Sequence, residues 1–255
     1  MKEVVDEIQD LVILAGEILL KNGAETYRVE DTVERIGLAA GMCQVEAFAT
    51  PTVIIVTLVE PRGVSQTKVR RIRERGISLS KVAAVNEVSR RMARGELSVA
   101  QANTMLMDIQ LSPNAYPFWV HLVAAGVGSG CFTFLFGGNL REFLLAVIAG
   151  LVIHWLRLQA TNWGFNRLFG SFLGGLAAAA IGIFGQTLLQ EVSADKVIIG
   201  AIMTLVPGLA ITHAVRDVIY EDLLSGVSRG VEAILVSVAV AAGVSLALGF
   251  WLGVG

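Results

Sequence analysis

The feature that most constrains this chain is an abrupt loss of charge at Pro117. Of the 20 Lys and Arg residues, 14 lie before Pro117 and 6 after it; of the 22 Asp and Glu residues, 15 lie before and 7 after. A spanning helix needs about 20 predominantly apolar residues, and the second part supplies such stretches at residues 118–136, 140–156, 168–189, 197–215 and 231–254. The sequence therefore predicts an α-helical integral membrane protein. About five transmembrane helices (residues 118–255) follow a small α+β cytoplasmic domain (residues 1–117). The mean hydropathy of +0.66 and the 54% hydrophobic content exceed what a soluble domain carries.

In the first part, Ile8, Leu11, Val12, Ala15, Ile18 and Leu19 recur at helical spacing and mark one buried face over residues 4–22. A second helix is expected at residues 25–40, with Val29, Val33, Ile36 and Ala40 on one side. The β-branched run that follows Cys43 is divided by Pro51 into two short strands, and a further strand is possible at residues 64–72. Helices resume at 79–93 and 98–110, the latter opened by Ser98 with Gln101 as a capping box. Residues 111–117 form the linker. The start MKEVVDEIQD is acidic and lacks the look of a secretion signal, so this half is expected in the cytoplasm.

Glycines are frequent in the apolar part, among them Gly126, Gly128, Gly130, Gly170, Gly174 and Gly175. Small residues let membrane helices approach closely, which is their favoured reading here. The run GVGSGC follows no strand, so it is not a dinucleotide loop. Loops expected inside carry two basic residues each and those expected outside carry one, which puts the N-terminus in the cytoplasm and the C-terminus outside.

Chemistry concentrates in residues 200–226. Pro207 and Gly208 interrupt the fourth stretch at mid-span, where freed backbone groups can coordinate a polar solute. Counted by fours, Thr204, Gly208, Thr212 and Arg216 share one face, a polar track with Arg216 as partner for a carboxylate. His213 and Asp217 lie four apart and can pair; either could couple transport to a proton. The plainer reading is that these charges mark the helix's exit into the cytoplasm. Gln186 is a candidate for a buried interhelical hydrogen bond, whereas His121, His154, Trp155, Asn162 and Trp163 suit a membrane boundary. Glu25, Thr26, Arg28, Glu30 and Asp31 cluster at the start of the second helix, where acidic groups complement its dipole.

Two cysteines, Cys43 and Cys131, make neither a disulfide framework nor a metal set, and no cofactor is expected. The formal net charge of −2 argues against nucleic acid. The ten basic residues from Arg62 to Arg94 form a solvated face or meet anionic headgroups. No histidine occurs before Pro117, so a Ser-His-Asp or Cys-His arrangement within that half is excluded.

Three stretches carry a family resemblance: NGAETYRVEDTVERIGLAAG, RGISLSKVAAVNEVSRRMARGELS and LVPGLAITHAVRDVIYEDLLSGVSRG. In order and over nearly the whole chain, they resemble the threonine/serine exporter family. The resemblance implies export of threonine and serine, or of small dicarboxylates such as succinate, driven by the proton motive force across a bacterial inner membrane. It also implies a likeness of the N-terminal domain to hydrolases. Some family members carry about ten helices in one chain and others are split into two subunits. This chain is similar to the larger subunit of a split pair, which implies a small membrane-only partner or self-assembly. The competing classes are a membrane-anchored enzyme, with catalysis in residues 1–117, and a scaffold for a separate transporter.

Overall fold

The computed structural model describes residues 2–113 and 116–253. The chain is mostly helical and divides into two compact units that do not follow the linker alone. One comprises residues 1–115 together with 212–229; the other comprises 116–211 and 230–255.

In the first unit, helices α1 (Lys2–Lys21) and α2 (Thr26–Ala39) precede strands β1 (Gln44–Thr50), β2 (Val53–Val59) and β3 (Ser65–Arg71). Helices α3 (Leu79–Ala93) and α4 (Val99–Leu111) follow. The sheet is antiparallel in the order β1-β2-β3, with Ile55 opposite both Phe48 and Val69. The third strand is thus present. Pro51 and Thr52 make the tight turn between β1 and β2, where Pro51 owes the ladder no donor. The apolar face expected on α1 is buried to the last residue, and Ile54, Val56 and Leu58 meet it from β2. Each such side chain contributes about 1.5–3 kcal/mol of transfer free energy. A Cβ built on Gly16 would stand 2.3 Å from Ile54 Cδ1, so α1 lies on the sheet as closely as a glycine allows. The capping box of α4 is present, with Ser98 and Gln101 each bonding the other's backbone amide.

In the second unit, α5 (Phe118–Leu135), α6 (Leu140–Asn162) and α7 (Arg167–Leu188) are continuous, as is α10 (Leu223–Leu252), whose residues from Gly230 onward belong here. These four are long and apolar enough to cross a membrane. The helix expected at 197–215 is instead two short ones, α8 (Ala194–Ile202) and α9 (Gly208–Ile219), and neither alone has the length to cross. The cause is Pro207, which has no N–H to donate and whose ring excludes the carbonyl four residues back. Val254, the expected last residue of the final helix, lies outside the described residues.

Helices α7 and α10 cross at two glycines. A Cβ on Gly175 would lie 2.3 Å from the Val240 carbonyl oxygen, and one on Gly243 would lie 2.1 Å from that of Phe172. Backbone packs on backbone here, as small residues permit in a membrane. Elsewhere in the unit, buried Glu142 accepts the amides of Asn139 and Ser193, both at 2.7 Å, and so joins the start of α6 to the start of α8. Gln186, expected to be buried, is exposed near the end of α7, where that helix runs out into its closing turn.

Candidate functional site

The two polar clusters that stand far apart in the sequence meet within the first unit. Helix α9 ends in a reversal at Glu221, which takes the left-handed conformation (φ 66°) usually left to glycine. The Asp222 amide donates back to the Asp217 carbonyl at 2.8 Å, closing the turn. The chain then returns as α10 and carries Arg229 alongside α9.

Arg229 is the hub. Its Nε lies 3.0 Å from Asp217 Oδ2, its Nη2 donates to the Ala24 carbonyl at 3.1 Å, and its Nη1 lies 3.2 Å from His213 Nδ1. A guanidinium only donates, so Nδ1 accepts and the imidazole proton sits on Nε2. Asp217 is 1% exposed and the Arg229 side chain 12%, which makes this a desolvated pair. The pairing of His213 with Asp217 expected from their spacing is thus corrected: both face Arg229, and the guanidinium serves each of them. That arginine carries no signal in the sequence beyond being one of six basic residues in the apolar part.

The second pair joins Arg216 Nη1 to Glu25 Oε1, while Arg28 Nε holds the other Glu25 oxygen at 2.7 Å. Tyr27 and Tyr220 stack beside them, centroids 4.4 Å apart. Burial pushes the Glu25 carboxyl up. The Tyr27 hydroxyl, Arg28, Arg216 and His213 outweigh it and hold Glu25 below the usual glutamate range. Glu30 behaves oppositely. Burial raises it, the Ala49 amide it accepts at 2.8 Å offsets part, and the negative charges of Asp222, Glu34 and Asp217 raise it further.

The expected polar track is only partly assembled. Gly208, Thr212 and Arg216 lie on one helix at four-residue spacing, but Thr204 falls in the break and its hydroxyl donates to the Ala201 carbonyl at 2.9 Å. Pro207 is half-buried and Gly208 exposed, not enclosed as mid-span placement suggested, because α9 starts where α8 has already ended. Within the second unit, a groove of about 370 Å³ runs beside the break, lined by Ile202, Leu205, Pro207, Ser237, Val240 and Ser245.

No histidine precedes Pro117, but residues 212–229 add His213 to the first unit. It still makes no nucleophile–base pair. Thr26 is fully buried and its hydroxyl has no hydrogen-bond partner, while His213 is engaged by Arg229. What the cluster offers is three guanidiniums, Arg28 and Arg216 sharing Glu25 and Arg229 facing Asp217, and hydroxyls at Thr26 and Ser225 without hydrogen-bond partners among the described residues. Such an arrangement can exchange an internal carboxylate for one arriving from outside.

Comparison with known proteins bears on what such an arrangement serves. The model of the family described as "Putative threonine/serine exporter" (ThrE) matches residues 10–251. The "Probable succinate transporter subunit YjjP" of Escherichia coli is 26% identical over 250 residues, spanning 94% of this chain and 93% of that protein. The "Probable threonine/serine exporter" of Mycobacterium tuberculosis is 26% identical over 248 residues, which cover 95% of this chain but 46% of that protein. The "Threonine/serine exporter" of Corynebacterium glutamicum is 22% identical over 247 residues, 94% of this chain and 50% of that one. No solved structure matches the chain.

Proposed function

The chain belongs to the threonine/serine exporter family, and from that premise we propose that it is one subunit of a secondary exporter of small carboxylate-bearing solutes. It is a transporter rather than an enzyme, as its family is. The solute is an amino acid of the threonine or serine type or a four-carbon dicarboxylate, and the proton motive force drives its exit. The observation that carries this reading is Arg216 held by Glu25. A solute carboxylate takes the place of Glu25 on Arg216, and the released Glu25 carboxyl, with Asp217 and His213, provides the proton-accepting groups. Gly208, Thr212 and Arg216 stand at four-residue spacing along α9, and the solute follows that helix.

The same ion pair supports the orientation. Glu25 and Arg216 must lie on one side of the membrane to touch, and the abundance of basic residues before Pro117 favours the cytoplasmic side. With α8 and α9 together making one pass, the C-terminus lies outside the cytoplasmic membrane. A relative of similar length is named a subunit, and relatives of about twice the length contain nearly all of this chain's span. Those lengths support a second membrane component, either a small membrane-only subunit or another copy.

The test is efflux from cells preloaded with labelled threonine, serine and succinate, with the chain expressed alone and with a candidate membrane-only partner. One solute should leave, and a protonophore should stop it. Unchanged efflux from both Arg216→Ala and Thr212→Val would remove the proposed site.

A further inference from the structure

The three-stranded sheet of the first unit has one face on the core and one face open. Strand alternation sends Ile54, Val56 and Leu58 inward, and Val53, Ile55, Thr57 and Val59 outward. Every outward residue of β2 is therefore β-branched. The register places Phe48, Ile55 and Val69 in one row across the three strands. Phe48 is 46% and Val69 60% exposed, and the Thr57 and Thr67 hydroxyls bond at 2.9 Å on the same side. An apolar row at the middle of an open sheet face is what a second layer covers in other α+β and sandwich folds.

Two charges flank the row. Glu46 stands on β1 to one side of it, opposite Thr57; Arg71 stands on β3 to the other side, opposite Val53. Ile55 is thus the midpoint of a diagonal that runs from Glu46 to Arg71. Arg71 has no ion-pair partner among the described residues, and Glu46 accepts only the Gln44 amide at 2.8 Å. Turn a copy of this face over about an in-plane axis through Ile55, perpendicular to that diagonal. The strands of the two copies then cross steeply. Ile55 meets Ile55, Phe48 falls beside Val53 of the copy, and each Glu46 lies over the copy's Arg71. Near-perpendicular packing is one of the two arrangements open to stacked sheets.

We propose that the open β1-β2-β3 face is a self-association surface, on which a second copy of this chain packs with crossed strands about Ile55. Its one acid and one base favour a copy of itself over an anionic lipid surface, which selects for net positive charge. Strands of seven residues at sheet spacing make a plate of roughly 300 Å². Stable soluble complexes bury about 800 Å² per partner. Confinement of both copies to one bilayer raises their effective concentration and makes up the difference, so association belongs to the membrane-embedded chain.

The experiment uses the full chain in native membranes, with Cys43→Ser and Cys131→Ser removing the two exposed thiols. A short bis-maleimide reagent should join Ile55→Cys chains to each other. Glu46→Cys and Arg71→Cys chains should cross-link to one another only when the two are expressed together. In the Ile55→Cys background, Glu46→Arg or Arg71→Glu alone should lower the dimer band several-fold and the pair should restore it. Absence of any cross-link, or Ile55→Cys dimers without the Glu46–Arg71 link, would overturn the crossed arrangement. So would quenching, by spin-labelled lipid, of a fluorophore attached to the Ile55→Cys variant, which would put the bilayer against this face.

Discussion

Glu25 and Arg216 lie 191 residues apart in the chain and form an ion pair within one compact unit. Glu25 has its other oxygen on Arg28, so it neutralises two guanidiniums at once. Both arginine side chains are over a third exposed, which discounts the pair's worth for solvent screening. A double-mutant cycle with Glu25→Gln and Arg216→Met should give a coupling of about 1 kcal/mol in thermal unfolding of detergent-solubilised protein. In efflux, Arg216→Met should abolish transport. Glu25→Gln should instead weaken solute selection, because the competitor for Arg216 has lost its charge.

Asp217 and Arg229 should respond far more strongly. Asp217→Asn removes the buried charge that faces a guanidinium 12% exposed, which costs about 3 kcal/mol. Replacing both, as Asp217→Leu with Arg229→Met, should recover most of that loss, because an apolar pair carries no desolvation penalty. Fluorescence-detected size-exclusion after a heating series reads both outcomes.

The two glutamates flanking the first turn of α2 give opposite pH dependence. Glu25 is held below its ordinary value of 4.5, so its stabilisation is full above that value and is lost as pH falls through the folded one. Glu30 is raised above 4.5; the folded state binds its proton the more tightly, and stability declines as pH rises through the folded value. Unfolding temperatures for Glu25→Gln should therefore lie furthest below the parent near neutral pH and converge with it in acid. Glu30→Gln should gain on the parent as pH climbs from 4.5 towards neutral.

Pro207→Ala should let α8 and α9 approach one continuous helix. The variant should be at least as stable as the parent, by up to about 3 kcal/mol if the ladder closes fully, and should export nothing. Retained export at the parental rate would remove the break from the mechanism.

Gly175→Ala introduces a Cβ at 2.3 Å from a backbone oxygen that cannot rotate away. A loss of about 1–3 kcal/mol is expected. The same change at Gly128, where a Cβ would meet nothing within 4 Å, should be silent in the same assay.

Much of this architecture is legible in the sequence because periodicity and charge report it directly. The buried stripe of α1, the Pro51 division of the strands, the Ser98 cap and four of the spans follow from local pattern. The failures share a physical origin. Hydropathy runs straight through Pro207 and suggests one kinked span, yet the missing donor and the ring end α8 outright. Hydropathy also places Gln186 inside, but it does not say which face of α7 points inward. Arg229 is silent because its importance is tertiary: it acquires Asp217, His213 and the Ala24 carbonyl only through the left-handed turn at Glu221. Nothing in local spacing announces that residues 24–30 and 213–229 share a site.

The discontinuity of the first unit also dictates an order of birth. Residues 24–30 leave the ribosome early, but their counterparts at 213–229 follow only after α5 to α8 have been made. The Ala24 carbonyl and one oxygen of the Glu25 carboxylate must wait through that interval with water in place of Arg229 and Arg216. Completion of the first unit is thereby tied to correct insertion of the helices between, and a chain cut short before residue 213 exposes an unfinished cluster to the cell's quality control.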